Sequence, residues 1–419
     1  MLLKANHVIP GDGKTVIEHG AVLIERDQIR AVGEAEALET GYRGPVEDFG
    51  EASILPGLID AHVHLGNCQT QLDLSSYTIE LKMLMAAHEL QRAFSLGITG
   101  VRDVGSDHML CETLRIADKK GFVKIPQLFT CDQGICMSGG HGWPLPSMRQ
   151  ADSPWEIRRA VRELLRDGAD WVKILTSHRT ETPEYTQEEL NAAVDECHRV
   201  GRKICVHAGA QPSIGMCIEA GFDTIEHGTF LTVEQAKRMA ENGQAWVPTI
   251  IAYAYIDEVY RKEAAAMGID HARICPEQIE ELLHELRGTR PELDLSRFSM
   301  EYVLNVSYFR KATETYACRL KPLADTGVAM LAGTDMVLDG APIMPVAREL
   351  EYMVAFGLDP LRAIQTATQT AAKVIGFTRT GTLEEGMFAN LAVFTGNAAE
   401  DIRALSRCEA TYFVGQRVY

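Results

Sequence analysis

The sequence predicts an α/β fold in which a (β/α)8 TIM barrel carries a small β-sandwich built from the two ends of the chain. Two observations favour this fold. Short apolar runs alternate with amphipathic helical segments through the middle of the chain, whereas both ends contain short strands and turns without a long helical pattern. Apolar runs without polar alternation suit parallel strands buried on both faces, and the intervening helices supply the parallel connections.

The middle of the chain contains eight apolar runs that fit the strands of one barrel. Helical patterns fall between most of them, at residues 154–167, 188–200, 212–220 and 233–242. The active site of such a barrel is expected at the C-terminal ends of its strands. The runs are residues 54–63, 98–104, 127–130, 171–175, 204–207, 224–225, 245–250 and 328–331.

The two ends of the chain are predicted to pair with each other. Residues 1–53 and 380–419 would then form one discontinuous β-sandwich domain around a barrel of residues 54–379. The segment 252–316 is too long for a simple connection and is rich in Glu, Arg and Tyr. We expect it to be a helical insertion over the barrel mouth, in the position of a lid.

The composition excludes several classes of protein. The 419 residues include 41 Lys and Arg against 58 Asp and Glu, a net charge of −17, which argues against a nucleic-acid partner. No apolar stretch is long enough for a membrane span, and the first residues lack the continuous apolar segment of a signal peptide. Ten cysteines without a CxxC pair predict reduced thiols. These features predict a cytoplasmic enzyme with a small-molecule substrate, without nucleic-acid or membrane partners, and we expect a homo-oligomer.

Two histidines end the first apolar run, in the segment Asp60-Ala61-His62-Val63-His64. Residues two apart on a strand face the same side, so the two imidazoles project together and form a natural clamp for a divalent metal. An HxH pair alone is weak evidence, because such a pair can be accidental. Further polar residues at the ends of other apolar runs strengthen the case for a metal site.

Four such residues are Lys173, His207, His227 and Asp335. Burying a charged lysine or aspartate inside a barrel costs several kcal/mol unless the group is paired or bound to a metal. Each residue also has a structural explanation when it is taken singly: the lysine reaches solvent, a histidine bonds a carbonyl, and the aspartate caps a helix. Their joint occurrence at strand ends favours a shared functional site.

These residues together resemble the amidohydrolase superfamily, and the resemblance covers nearly the whole chain. The chain is most similar to the imidazolonepropionase-like metal-dependent hydrolases, which include bacterial Xaa-Pro and Xaa-Arg dipeptidases. The motifs that carry the resemblance are Leu55-Pro56-Gly57-Leu58-Ile59-Asp60-Ala61-His62-Val63-His64, Ser138-Gly139-Gly140-His141-Gly142, the isolated Lys173, the spaced His207 and His227, Ile225-Glu226-His227-Gly228-Thr229, and Gly333-Thr334-Asp335.

The resemblance implies a binuclear centre of two divalent metal ions, with zinc expected. It implies that Lys173 is N6-carboxylated and bridges both ions as a carbamate, which replaces a repelling cation by an anionic ligand. Asp335 would also act as the general base. By the same resemblance, His62, His64 and Asp335 hold one ion, and His207 and His227 hold the other.

Four residues are candidates for substrate contact. His141, in a glycine-rich loop, contacts the substrate carbonyl or carboxylate according to the resemblance, with a structural turn as the alternative. We hypothesise that His178 and Arg179 bind an anionic group, the alternative being an exposed loop. Tyr253 either lines the pocket or packs beneath the insertion. The chain departs from many dipeptidase relatives at Gly209, where they carry a polar side chain.

The leading hypothesis is a binuclear zinc amidohydrolase that cleaves an amide bond of an N-acyl amino acid, dipeptide or cyclic amide. The alternative is a mononuclear zinc deaminase of an aminated heterocycle, which would use His62, His64, His207 and Asp335 without a carbamate. Lys173 and the absence of a glutamate next to His207 favour hydrolysis. A third possibility is a catalytically inactive scaffold, which the complete set of ligand positions disfavours.

Overall fold

The computed structural model describes residues 1–66, 77–143, 145, 147–177, 182–335 and 342–419. Its strands are β1 (Leu2–Val8), β2 (Ile17–Glu25), β3 (Gln28–Glu34), β4 (Val46–Asp48), β5 (Ala52–Pro56), β6 (Leu58–Val63), β7 (Ile98–Asp103), β8 (Gln127–Thr130), β9 (Gly134–Cys136), β10 (Met148–Gln150), β11 (Trp171–Leu175), β12 (Lys203–Ala208), β13 (Thr224–His227), β14 (Ala245–Val247), β15 (Ala329–Met330), β16 (Leu391–Thr395), β17 (Cys408–Phe413) and β18 (Gln416–Arg417). Its helices are α1 (Ala35–Glu39), α2 (Ile79–Ser95), α3 (Leu110–Lys119), α4 (Pro154–Asp167), α5 (Gln187–His198), α6 (Ser213–Ala220), α7 (Val233–Asn242), α8 (Ile250–Ala266), α9 (Ile279–Thr289), α10 (Met300–Ala324), α11 (Val346–Ala355), α12 (Pro360–Thr366) and α13 (Gln369–Ile375).

The predicted (β/α)8 barrel is confirmed. Parallel pairing runs in the order β6-β7-β8 and then β9-β11-β12-β13-β14-β15. The third barrel strand is broken into β8 and β9, and the backbone N–H of Asp170 bridges to the carbonyl of Thr130 at 2.9 Å. The barrel closes where the N–H of Ala61 in β6 donates to the carbonyl of Ala332, just after β15, at 2.9 Å.

The two ends of the chain meet in a separate sheet, as predicted. Its strand order is β18-β17-β16-β5-β1-β2-β3, and β4 pairs with β1. The antiparallel pair of β5 and β16 joins the N-terminal and C-terminal segments. Apolar side chains from both segments form their own buried cluster, which includes Leu3, Ile54, Leu391 and Tyr412. The boundary predicted at residue 53 falls within β5, and the domain limits themselves stay a prediction.

Local sequence signals explain why the helices begin and end where they do. The side chain of Ser153 accepts a hydrogen bond from the N–H of Glu156 at the start of α4, and Gly168 ends that helix with a φ of +113°. Thr232 and Gln235 form a capping box at the start of α7. These signals place the helices between the barrel strands within one or two residues of the sequence-predicted ranges.

Three helices occupy most of the segment between β14 and β15. Helices α8 and α10 pack against each other, and Ile279, Leu282 and Leu286 of α9 join residues of both helices in an apolar cluster. Helix α8 begins only a few residues after β14, at the C-terminal end of the barrel strands. Within the described residues, no helix has both the length and the apolar content needed to cross a bilayer.

The closure of the barrel depends on a close approach at Gly333. A Cβ atom at this position would lie 2.7 Å from Cβ of His62 and 2.7 Å from Cγ1 of Val247. Real Cβ atoms do not approach that closely, so an added methyl group must push β6 or β14 away. The glycine therefore lets the chain before Asp335 lie against His62.

We predict that Gly333→Ala lowers the free energy of unfolding by about 1–3 kcal/mol, because the methyl group overpacks the seam of the barrel. Urea denaturation followed by circular dichroism measures the change. Gly33→Ala on β3 is the control, since a Cβ there meets no atom within 4 Å. Equal stability of the two variants would contradict the role assigned to Gly333.

Candidate metal centre

The first histidine pair lies at the C-terminal end of β6, with His62 on the strand and His64 directly after it. Asp60, His62 and His64 are spaced by two residues, so all three point into the barrel. Nδ1 of His64 lies 2.8 Å from the carbonyl oxygen of Gly105, which orients the ring. Asp60 accepts hydrogen bonds from the backbone N–H of Thr334 at 3.0 Å and from its hydroxyl at 2.7 Å. The aspartate therefore ties β6 to the residue that precedes Asp335.

Non-glycine residues with left-handed backbone lie at the end of β13 and shortly after the ends of β14 and β15. The φ angles are +63° at His227, +50° at Thr249 and +47° at Asp335. Such conformations cost roughly 1–3 kcal/mol each and gather at functional sites. At His227 the left-handed conformation turns the side chain into the barrel. Neighbouring strand residues normally face opposite sides, yet Glu226 and His227 both contact side chains inside the barrel.

Asp335 lies among histidines from two barrel strands, β6 with its C-terminal end and β13. Its Oδ1 is 3.3 Å from Nε2 of His64 and 3.5 Å from Nε2 of His62. Its Oδ2 is 3.8 Å from Nδ1 of His227. The ligand atoms of His62, His227 and Asp335 all lie within 4.8 Å of one another. Residues that are far apart in sequence thus meet in the arrangement expected for a metal centre.

His207 and His141 extend the cluster toward the barrel mouth. The ring of His207 lies 4.3 Å from that of His227, and the ring of His141 lies 4.1 Å from that of His207. The backbone N–H of His141 donates to Glu184 at 3.0 Å, which fixes the glycine-rich loop beside the histidines. All four predicted histidine ligands and His141 therefore belong to one connected group.

Lys173 stands in the middle of β11 and is 1% exposed. It pairs in register with Cys205 of β12 and Gly134 of β9. Its charge acts on the site, since it helps to lower the pKa values of His62 and His227. A lysine at this depth is unusual.

The barrel interior sets the charge state of the ligands. Burial, with a further contribution from the charge of Lys173, lowers the pKa of His62 to about 4. Burial also lowers the pKa of His227 well below its usual value. For Asp335, burial alone would raise the pKa, but the neighbouring histidines outweigh it and lower the pKa well below its usual value. Neutral imidazoles next to an ionised carboxylate are the forms that bind a metal.

The residues present fit a divalent cation. Nε2 of His62 is buried and makes no hydrogen bond with the described residues. A buried polar atom without a partner is costly, and a metal would satisfy its lone pair. Imidazole nitrogens with a carboxylate are a donor set that zinc prefers.

The structure places Tyr253, but not the two predicted substrate contacts in the loop after β11. The ring of Tyr253 lies 5.9 Å from His227, and it also packs against Tyr308, Phe309 and Tyr316 of α10. Proximity to the site and aromatic packing beneath the insertion thus occur together. His178 and Arg179 lie outside the described residues.

Sequence reasoning missed two charged residues beneath the site. Glu226 accepts from Nδ1 of His62 at 2.6 Å, and Arg102 of β7 donates to Glu226 at 2.8 and 3.0 Å. Both are fully buried. Arg102 interrupts an apolar run just as Lys173 does, so the criterion that found the lysine would have found the arginine.

The family model of the amidohydrolase family matches residues 53–417. The chain therefore belongs to the amidohydrolase family.

Two relatives resemble nearly the whole chain, and a third resembles half of it. The chain is 26% identical to ochratoxinase from Aspergillus niger over 451 aligned residues, 99% of this chain and 85% of the ochratoxinase. The crystal structure of a Xaa-Pro dipeptidase with bound methionine in the active site matches with a TM-score of 0.79 at 25% identity, over 99% of this chain and 98% of the dipeptidase. A 5-methylthioadenosine/S-adenosylhomocysteine deaminase from Nitratidesulfovibrio vulgaris is 27% identical over 51% of this chain and 49% of the deaminase. Family membership and the first two relatives support a hydrolase that acts on amide bonds.

We predict that zinc stabilises the metal-depleted protein. At a free zinc concentration of about a thousand times the Kd, binding to the folded state alone adds about 4 kcal/mol to the free energy of unfolding. His62→Asn should remove most of that gain, while His19→Asn on the exposed surface of β2 should keep it. Urea denaturation with and without zinc measures the gain, and an equal gain in both variants would exclude His62 as a ligand.

Proposed function

We propose that the protein is a binuclear zinc hydrolase that cleaves an amide bond of a small substrate. The observation that carries the proposal is the meeting of His62, His64, His227 and Asp335 around Nε2 of His62, a buried nitrogen without a hydrogen bond to any described residue, with Lys173 buried in the same barrel. The lowered pKa values of His62 and His227 keep these two imidazoles neutral, the form that binds a cation, whereas Asp335 raises the pKa of His64.

The proposed ligands divide into two sets. His62, His64 and Asp335 would hold one ion, and His207 and His227 would hold the other. Lys173 would join both sets after its ammonium group has lost one proton and the resulting amine has reacted with carbon dioxide, which forms a carbamate and releases a second proton. When bound, the ions lower the pKa of water and polarise the scissile carbonyl group. The reaction at Lys173 replaces a buried cation by an anion, which removes its repulsion of the metals.

Asp335 is the proposed general base. Its lowered pKa keeps the carboxylate ionised, so its oxygens can accept a proton from the attacking water, and because the carboxylate is a weak base it holds that proton only briefly. The same oxygen can then deliver that proton to the leaving nitrogen. The hydrogen-bonded contact with His64 holds the carboxylate in place between the two steps.

The substrate is proposed to be an N-acyl amino acid, a dipeptide or a cyclic amide. Full-length similarity to a Xaa-Pro dipeptidase and to an ochratoxinase supports this class. His141 stands next to His207, where it can donate to the substrate carbonyl or carboxylate. Tyr253 would form an aromatic wall, and His178 with Arg179 would bind an anionic end of the substrate.

A mononuclear deaminase is the second candidate, favoured by the half-length similarity to a deaminase. It would use His62, His64, His207 and Asp335. That reaction gives no role to the buried Lys173. Two metal ions per chain support the hydrolase, whereas one ion with release of ammonia from an aminated heterocycle supports the deaminase.

We predict that the zinc-loaded protein hydrolyses members of a library of N-acyl amino acids, dipeptides, lactams and carbamates. Asp335→Asn should lower kcat/KM by about 10²–10⁴-fold, since the base and one ligand oxygen are lost. Asp325→Asn at the exposed end of α10 is the matched control. Metal content by mass spectrometry is measured in parallel, and full activity of the Asp335 variant would refute the assignment.

We also predict that Lys173→Ala lowers activity by at least about a hundredfold and reduces metal content, and that a short carboxylic acid restores part of both. The added carboxylate replaces the two oxygens of the carbamate. Lys203→Ala is the control, because that half-buried lysine of the neighbouring strand donates to the carbonyl of Val374 instead. Absence of any rescue, together with unchanged metal content, would argue against a bridging carbamate.

A further inference from the structure

We propose that Arg102 and Glu226 form a cross-barrel pair that positions His62 as a metal ligand. The inference rests on the proposed metal centre and adds two positioning residues to it. Neither residue occupies a position that the ligand set requires. The argument comes from their contacts and from the strands that they connect.

The pair is buried completely and is well bonded. Nη2 of Arg102 lies 2.8 Å from Oε1 and 3.0 Å from Oε2 of Glu226. Oε2 of Glu226 in turn lies 2.6 Å from Nδ1 of His62. All three side chains are 0% exposed. A continuous chain of short polar contacts therefore runs from the barrel interior to the proposed ligand.

The direction of the contact at His62 matters for metal binding. Because Glu226 is bonded to a guanidinium, its carboxylate acts as an acceptor, and Nδ1 of His62 donates. The lone pair is then on Nε2, which faces Asp335 at 3.5 Å. A carboxylate behind a ligating histidine fixes both the tautomer and the ring orientation.

The contacts of Arg102 connect strands that are not neighbours. Nε of Arg102 donates to the carbonyl of Ala61 at 2.6 Å, one residue before His62. Nη1 lies 3.2 Å from the hydroxyl of Thr224 on β13, and the guanidinium lies 4.8 Å from the ring centre of Trp171 on β11. Strand β13 pairs with β12 and β14 rather than with β6. The pair thus holds His62 of β6 at a fixed place relative to β13, which carries His227.

Fold stability alone is a weak reason for such a pair. Two apolar side chains of similar volume often replace a buried ion pair at no cost to stability, because both desolvation penalties disappear. A purely structural role therefore predicts that an apolar double variant folds and binds metal normally. A positioning role predicts that the variant folds but binds metal weakly.

The test uses cobalt(II) as the probe in full-length, metal-depleted protein. In Arg102→Met/Glu226→Leu, Nδ1 of His62 loses its acceptor, and we expect the Kd for cobalt to rise about 10–100-fold with an altered visible absorption spectrum. Arg102→Met/Glu226→Gln keeps an amide oxygen next to His62 and should recover part of the affinity and the spectrum. Met239→Ala on the buried face of α7 controls for general destabilisation and should bind cobalt as the unaltered protein does.

The outcomes separate the two proposals. Unaltered protein that fails to bind cobalt refutes the metal centre and the positioning role together. If the unaltered protein binds cobalt and both double variants bind it with the same Kd and the same visible spectrum, the positioning role alone is refuted. If the leucine variant does not fold, the glutamine variant decides: weaker cobalt binding than in Met239→Ala supports the role, and unchanged binding and spectrum overturn it.

Discussion

Charge balance inside the barrel is the constraint on which the rest of the structure depends. Within the described residues, the barrel interior holds the side chains of Arg102 and Lys173, and both lie close enough to the carboxylate of Glu226 to help lower its pKa. In a low-dielectric interior each charge is tolerable only beside a partner, so these side chains cannot be moved independently. For Glu226, burial would raise the pKa, but the charge of Arg102 together with the hydrogen bond from His62 and the nearby charges outweighs it and lowers the pKa, which keeps the carboxylate ionised. The candidate metal centre is built on top of this fixed ionic base.

The backbone conformation at the strand ends also helps to bring the candidate ligands together. His227, Thr249 and Asp335 adopt left-handed conformations that an isolated chain would rarely hold. The closed barrel fixes them, because the N–H of Asp335 donates to the carbonyl of His62 at 2.8 Å and the hydroxyl of Thr249 lies 2.7 Å from Nδ1 of His227. These left-handed conformations let side chains from different strands point toward the same place. In regular strands the same side chains would point away from each other.

Sequence patterns predicted the barrel, the meeting of the chain ends and the residues that gather at the strand ends. They succeeded because burial leaves a direct trace as an apolar run, and a polar residue that ends such a run stands out. Arg102 also interrupts an apolar run, but nothing in the sequence pairs it with Glu226, since the two residues are 124 positions apart and a periodicity shows burial without showing what lies opposite. The break of the third strand between β8 and β9 and the positive φ of His227 likewise depend on tertiary contacts. Local propensity does not encode these features.

Two further buried carboxyl groups show that the pKa of an acid in this barrel depends on the groups around it. Burial raises the pKa of Asp60 to about 7 and that of Glu349 to about 8, because neither has, among the described residues, a cationic partner such as Arg102 provides for Glu226. Both instead accept hydrogen bonds from backbone or hydroxyl donors. Glu349 receives the N–H groups of Ile250 and Ile251 at 2.9 and 2.7 Å, the first residues of α8. It therefore anchors the root of the helical insertion to α11, and since Thr249 directly precedes this helix, the same anchor holds the hydroxyl that contacts His227. The insertion and the candidate metal centre are in this way parts of one hydrogen-bonded structure.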